Sequence, residues 1–339
     1  MSVAVSVIVP IFKTPPKYLE ACLDSLTTQT LQETEFILVF DGPNERLFKV
    51  CKKFQECDKR FKLFIQPHQG VSATRNYGVS QANGVYITFV DADDFIDSNC
   101  CKQTFEFAKL NNSDVVLFDF NSTNNQIKAE SYTSNSISIL STDDIERLQA
   151  ESICLTETRF ISAVSTWGKI IKKDFFKNHD IKFSTNLIRC VDRPVSYSLF
   201  LFGNRVSYLH KCFYNYNRVV GSITNSKYDN IIPAILSYLS EIKKISSKHN
   251  SIISNYFAKS FFVYWQNSYF INGTTFREWK KKISLLTNIA KSEWFKDLTN
   301  DVNYKSFPKL LQLEMFLFRH SITFPIWLHA IKNKIFHKK

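Results

Sequence analysis

The sequence predicts an α/β protein built on a mostly parallel sheet, with an α-helical C-terminal region behind it. Three observations carry this prediction. Hydrophobic strands alternate with helical stretches through the first 120 residues, the order that winds a parallel sheet. The strands are apolar on both faces, as a sheet covered by helices on both sides requires. Each strand also ends in polar or turn residues, on the edge where open α/β sheets hold their ligands.

The elements follow in order. Val3 to Phe12 reads as a continuous β-branched strand that Pro10 and residues 13–16 bring to a stop. Tyr18, Leu19, Cys22, Leu23 and Leu26 fall at helical spacing between Tyr18 and Gln29. Glu35 to Phe40 is a second buried strand, ending in the turn sequence Asp41-Gly42-Pro43-Asn44. A helical stretch from Leu47 to Cys57 leads to the strand Phe61 to Ile65, then to the His68-Gln69-Gly70 turn. A helical segment from Val71 to Ala82 and the turn Asn83-Gly84 precede VYITFVDADD, residues 85–94.

That last stretch is the most informative. A buried strand runs directly into Asp91, Asp93 and Asp94. Clustered carboxylates there need neutralising, and Mg²⁺ or Mn²⁺ carrying a nucleotide diphosphate would do so. The ordinary alternative is a polar loop capping the next helix. Neither Gly-x-Gly-x-x-Gly after the first strand nor a Gly-Lys-Ser/Thr turn is present, which argues against a dinucleotide-binding domain and a P-loop NTPase. Phosphates would then be held by metal and by cations such as Arg75.

SVIVPIF, YLEACLDSLTTQT, FILVFDGP, HQGVSATRNYGVSQANGVYITFVDADDFID and STWGKIIKKDFF, in this order and spacing, resemble the family 2 glycosyltransferases of bacterial surface polysaccharide synthesis. The resemblance is close over residues 3 to about 120 and looser from about 160 to 225. It implies a GT-A fold and inverting transfer of a hexose or N-acetylhexosamine from a UDP-sugar to a growing capsule, lipopolysaccharide or similar glycan. It further implies Mn²⁺ or Mg²⁺ as cofactor. Three parts are expected: a nucleotide-sugar-binding core over 1–120, an acceptor-binding part carrying the base over 121–225, and a basic, aromatic-rich helical region over 226–339.

Residue roles implied by the resemblance are specific. Pro10 and Phe12 would lie along uracil and ribose, and Asp41 would bond the uracil ring, with Phe40 standing where a second acid is usual. Arg75, Asp91 and Ala92 would contact the nucleotide. Asp93 would bind the metal directly, with Asp91 beside it, and Asp94 would support either or cap a helix. Asp192 would be the general base, with Val191 replacing its usual Glu neighbour. Asp192 could equally be a helix N-cap, given Pro194 close behind. Trp167 would floor an acceptor sugar or pack in the core; Lys169 would reach the diphosphate or sit solvated. His68 reads as a turn residue.

Composition sets the remaining expectations. The eight cysteines show no zinc spacing, and scattered thiols of this kind read as reduced and intracellular. Met1 leads almost at once into the first strand, so no signal peptide is expected. Residues 121–138, rich in Ser, Thr and Asn, read as an exposed loop or edge region facing the acceptor side. Residues 1–225 hold 25 basic and 24 acidic side chains, whereas 226–339 hold 18 and 7. The apolar run from Met315 to Ile331 is interrupted by Arg319 and His320, which suits a helix in the headgroup layer better than a spanning one. A cytoplasmic enzyme peripheral to the inner membrane follows, with a lipid-linked glycan as acceptor and no nucleic acid partner. Two other classes remain: a non-catalytic nucleotide-sugar or glycan-binding subunit, and a nucleotidyltransferase.

Overall fold

The structure, a computed structural model, describes residues 2–122, 137–153, 164–217, 232–259, 284, 287–307 and 309–320. The chain forms two compact units, Met1–Ser226 and Lys227–Lys339. The first is organised on a nine-stranded sheet of order β3-β2-β1-β4-β8-β6-β9-β5, with β7 paired to β9. Its strands are β1 (Val5–Ile11), β2 (Thr34–Asp41), β3 (Phe61–Gln66), β4 (Tyr86–Phe89), β5 (Phe95–Ile96), β6 (Val115–Ser122), β7 (Ile137–Ile139), β8 (Lys169–Lys172) and β9 (Val206–Tyr216). The helices are α1 (Pro16–Thr27), α2 (Glu45–Cys57), α3 (Val71–Gln81), α4 (Cys100–Leu110), α5 (Thr142–Ile153), α6 (Lys173–Asn178) and α7 (Asp192–Phe202).

β1, β2, β3 and β4 are all parallel, so their C-terminal ends meet on one edge. The both-face apolar pattern has a direct cause. Val5, Val7, Val9 and Ile11 pack with Phe36, Leu38, Phe40 and the α1 residues Leu19, Leu23 and Leu26. Ile8, Ile37, Val39, Ile87 and Phe89 face the other way, against Val79 and Phe183. Each such fully buried side chain contributes about 1.5–3 kcal/mol relative to exposure. Pro16 starts α1 at a position where its missing N–H is not needed. The Asn44 side chain accepts from Leu47 N at 3.1 Å and caps α2.

Beyond β4 the sheet becomes mixed. β8 lies antiparallel between β4 and β6, while β6 and β9 are parallel with a register break around Asp119. Of the stretch 121–138, Asn121 and Ser122 end β6 and residues 137 and 138 open β7; residues 123–136 lie outside the described residues.

The second unit is helical: α8 (Ile232–Ile245), α9 (Asn250–Lys259), α10 (Glu293–Thr299) and α11 (Lys309–Arg319). Ile235, Leu239 and Ile242 of α8 are buried, matching their spacing. Phe295 joins α9 to α11, with ring centroids 5.7 Å from Phe257 and 5.1 Å from Phe318. Among the described residues no helix is long and apolar enough to cross a membrane.

α3 approaches the sheet closely because residue 78 is glycine: a Cβ there would lie 2.4 Å from Ile8 Cγ2. Ile8 is a fully buried β-branched residue with little room to move. Gly78→Ala is therefore expected to destabilise the fold by about 1–3 kcal/mol through overpacking, read as a lower urea midpoint at unchanged slope.

Candidate active site

The edge where β1, β2 and β4 end carries the polar groups. Asp91 to Asp94 form a tight turn closed by Asp94 N donating to Asp91 O at 3.0 Å. Asp94 is buried and fully committed: the Tyr214 hydroxyl donates to one oxygen at 2.6 Å and Asn217 N to the other at 2.7 Å. Asn217 Nδ2 also donates to Asp93 O at 2.8 Å, and Asp91 N donates to the Tyr214 hydroxyl at 3.2 Å. The end of β9 thus fixes the acidic turn, and Asp94 supports that turn through β9. Ala92 is buried beneath it.

Arg75 organises the other side. Its guanidinium donates to Asp91 Oδ1 and to Asp192 Oδ1, each at 2.8 Å. Asp192 Oδ2 accepts from Thr166 N at 3.2 Å. Burial is the largest influence on Arg75 and works against its charge, but Asp192 and Asp91 outweigh it and raise its value above the ordinary one. The N-cap alternative for Asp192 is not what forms: it is the first residue of α7, and Val191 holds the cap position without a side-chain bond. Just before them Cys190 adopts φ 57, a left-handed conformation that non-glycine residues rarely take. Cys190 thus stands directly before the Val191 cap of α7.

Asp41 is buried, and its carboxylate is filled from within the chain. It accepts from Gln69 N at 2.8 Å and Gly70 N at 3.1 Å, and lies 2.8 Å from His68 Nδ1. Through these bonds Asp41 shapes the 68–70 turn. That turn presents His68, which stacks on Phe12 at 4.5 Å with 9° between planes. Both rings are open to solvent, Phe12 at 44 %, beside the half-buried Pro10.

Of the two readings of Trp167 the core-packing one is what forms, whereas Lys169 departs from the solvated reading. Trp167 is 5 % exposed and lies against Tyr214 at 4.6 Å and 8°, so it is core support behind the acidic turn and presents no open platform. Lys169 is buried, where a solvated lysine or a diphosphate contact was expected. Its ammonium donates to the carbonyls of Ser165 and Trp167. Burial lowers its pKa to about 7, against the opposing pull of Asp192.

His68 sits in the turn its sequence predicts, whereas Thr166, Tyr214 and Asn217 join the site unannounced by the sequence. A tyrosine and an asparagine at the end of a distant strand carry no local signal. Their role follows only from β9 pairing with β5 beside the acidic turn.

Among the described residues no three His, Cys, Asp or Glu side chains gather as a metal cage. The donor set nevertheless fits a hard cation shared with a ligand. Asp93 has no cationic partner among the described residues, and burial, then Asp91, raises its pKa to about 6. Asp94 is raised to about 9 by burial and by Asp91 and Asp93. One or two carboxylates with phosphate oxygens completing the shell is the usual magnesium arrangement. Asp93, with Asp91 beside it, would hold such an ion.

Comparison with known proteins agrees with this architecture. The sheet and its helices superimpose on Staphylococcus aureus TarS in complex with UDP-GlcNAc with a TM-score of 0.71 at 20 % identity, covering 97 % of this chain and 91 % of that one. The fold is GT-A. The profile of Glycosyl transferase family 2 matches residues 6–174. Glycosyltransferase GlyG of Streptococcus pneumoniae is 30 % identical over 253 residues, 73 % of this chain and 80 % of the relative. Uncharacterized glycosyltransferase EpsJ of Bacillus subtilis is 30 % identical over 226 residues, 66 % of this chain and 64 % of the relative. The chain belongs to glycosyl transferase family 2. It spans less than two thirds of EpsJ and 34 % of the pneumococcal glycosyltransferase GlyA.

The raised Asp93 value has a consequence for stability. Its charged form is disfavoured in the fold, so native stability falls as pH climbs from the ordinary carboxyl value toward about 6 and changes no further above it. Asp93→Asn should therefore raise metal-free stability at pH 8 by on the order of 1–2 kcal/mol and leave it unchanged near pH 4. Thermal melts in EDTA at the two pH values would show this; equal melting at pH 8 would contradict it.

Proposed function

We propose that this protein is a UDP-sugar-dependent, inverting hexosyl- or N-acetylhexosaminyltransferase that extends a bacterial surface glycan, with Asp192 as general base. The observation that carries this reading is the aim of Asp192. Both of its oxygens are held, by Arg75 and by Thr166 N, and through Arg75 it is tied to the acidic turn. Each carboxylate oxygen has two lone pairs, so a proton can still be accepted. The side chain is 27 % exposed, and Asp91 31 %, so ligands can reach both.

In the reaction, the acceptor hydroxyl oxygen attacks the anomeric carbon as the sugar–phosphate bond breaks, its electron pair leaving with UDP. The hydroxyl proton passes to Asp192. A bound Mn²⁺ or Mg²⁺ would offset charge on the departing diphosphate. The Phe12–His68 pair offers a flat, exposed surface suited to a uracil ring, with Pro10 alongside. The TarS neighbours bound to UDP and UDP-GlcNAc support a UDP-sugar donor.

The test is UDP release from a panel of UDP-sugars with Mn²⁺, with and without membrane extract as acceptor. Asp192→Asn should lower turnover by about 10²–10⁴-fold while UDP still binds. Asp93→Ala should lose the metal-dependent rate. UDP binding without turnover on any acceptor would instead favour a binding subunit, a reading motivated by buried Val191 at the position of the usual Glu.

We further propose that the chain works at the inner face of the cytoplasmic membrane on a lipid-linked glycan. On α11 the exposed residues Lys309, Leu313 and Phe316 recur on one face, with Leu313 53 % and Phe316 55 % exposed. The 18 basic and 7 acidic residues of 226–339 favour an anionic surface. The protein should sediment with phosphatidylglycerol vesicles, less so as salt rises, and a Leu313→Glu/Phe316→Glu pair should weaken this by about tenfold or more. Equal partitioning onto neutral vesicles would refute the electrostatic part.

A further inference from the structure

Arg75 was expected to touch the nucleotide, but its side chain is only 5 % exposed, while the two carboxylates it binds are 31 % and 27 % exposed. A ligand therefore meets Asp91 and Asp192 first, with the guanidinium behind them. Its two arms reach partners far apart in sequence: Asp91 at the end of β4 and Asp192 at the start of α7. The arginine is itself firmly placed. Gly78 lets α3 sit tight on β1, and the guanidinium lies over Phe183, 5.4 Å from its centroid. Asn76 clasps the backbone of Phe183 both ways, donating to its carbonyl at 2.8 Å and accepting from its N–H at 2.9 Å.

A buried ion pair is a poor device for stability alone, because removing charges from water offsets most of their attraction. One carboxylate would also suffice to neutralise one guanidinium. Here two are gathered on a planar fork that a lysine could not imitate. Arg75 Nε is moreover buried without a hydrogen-bond partner among the described residues, a further penalty that stability alone does not explain.

We propose that Arg75 is a positioning residue that couples the donor site to the base: the side chain that senses occupation of Asp91 also sets the aim of Asp192. This rests on the transferase reading above and deepens it. Ligand at Asp91 changes the shared guanidinium, and Asp192 responds through its Oδ1 while Thr166 N keeps Oδ2 in register. The base would thus reach its working geometry only when a nucleotide is present, which disfavours proton abstraction at an empty site.

The experiment compares the native chain with Arg75→Ala, Arg75→Lys and Asp192→Asn. UDP affinity is read by calorimetry with Mn²⁺, turnover by UDP release, and backbone exposure by hydrogen exchange over residues 164–168 and 190–195. In the native chain, UDP with Mn²⁺ should change exchange in both segments. In Arg75→Ala it should not, although UDP binds within about threefold of native and kcat falls about hundredfold at similar KM. Guanidinium ion in the buffer should restore about tenfold of that rate, since it can occupy the vacated fork site. Should the alanine variant fail to fold, Arg75→Lys carries the same test, keeping charge while losing the fork. The Arg75→Ala/Asp192→Asn double variant should be no slower than Asp192→Asn.

A tenfold loss of UDP affinity with kcat intact would overturn the proposal and make Arg75 a nucleotide ligand. Retention of the exchange change in Arg75→Ala would overturn it too, while leaving transfer intact. If the native exchange change depends on Arg75 but no sugar ever turns over, the coupling stands and the transferase reading fails.

Discussion

Carboxylates crowded at the end of a buried strand repel one another, and the first unit is organised around containing that repulsion. Asp91, Asp93 and Asp94 follow β4 directly, and the surroundings of Asp93 and Asp94 disfavour their charge. Three different solutions are applied within four residues. Asp94 is held by Tyr214 and Asn217. Asp91 is answered by Arg75. Asp93 has no cationic partner among the described residues, and burial and Asp91 raise its pKa. Such a turn is stable only because the sheet behind it is rigid: the β1, β2 and β4 residues are buried on both faces.

The same constraint explains why remote elements converge there. β9 is long and its register with β6 breaks at Asp119, so its last residues travel back across the edge to meet the acidic turn. Tyr214 needs backing to hold its hydroxyl in place, and Trp167 supplies it by stacking. Trp167 in turn sits in a segment whose carbonyls are bound by the Lys169 ammonium. Thr166, next in that segment, gives its N–H to Asp192. Support for the acidic turn and support for the candidate base are therefore one connected structure, with Arg75 closing it from α3.

How much of this the sequence discloses depends on whether a feature is local. β1, β2, β3 and β4 are legible because burial on both faces writes itself as an unbroken apolar run, and Asp91 to Asp94 are legible because they interrupt one. Asp192 is legible through its resemblance to a family motif. Lys169 shows the limit: its residue type predicts solvent, but its strand lies antiparallel between β4 and β6, and that pairing buries it. No local pattern distinguishes a lysine destined for an inner strand. The Phe12–His68 pair is hidden for a related reason, since the two residues follow β1 and β3, with β2 lying between those strands. Asp41 is legible as a strand end, whereas its bonds to the neighbouring turn are not, because they depend on how residues 68–70 fold back over it.

The backbone strain at Cys190 belongs to the same logic. A non-glycine residue at positive φ is unfavourable by roughly 1–2 kcal/mol, and nothing in helix formation alone requires it before α7. A relaxed entry would let Asp192 take the ordinary role of an acidic residue at a helix start, serving its own backbone amides. The bend instead places Asp192 in the first turn, where its carboxylate meets Arg75 and the Thr166 amide. The positive φ at Cys190, an Asp93 without a cationic partner among the described residues and an Arg75 Nε without an acceptor among them all adjoin Asp91, Asp192 or the guanidinium that binds both.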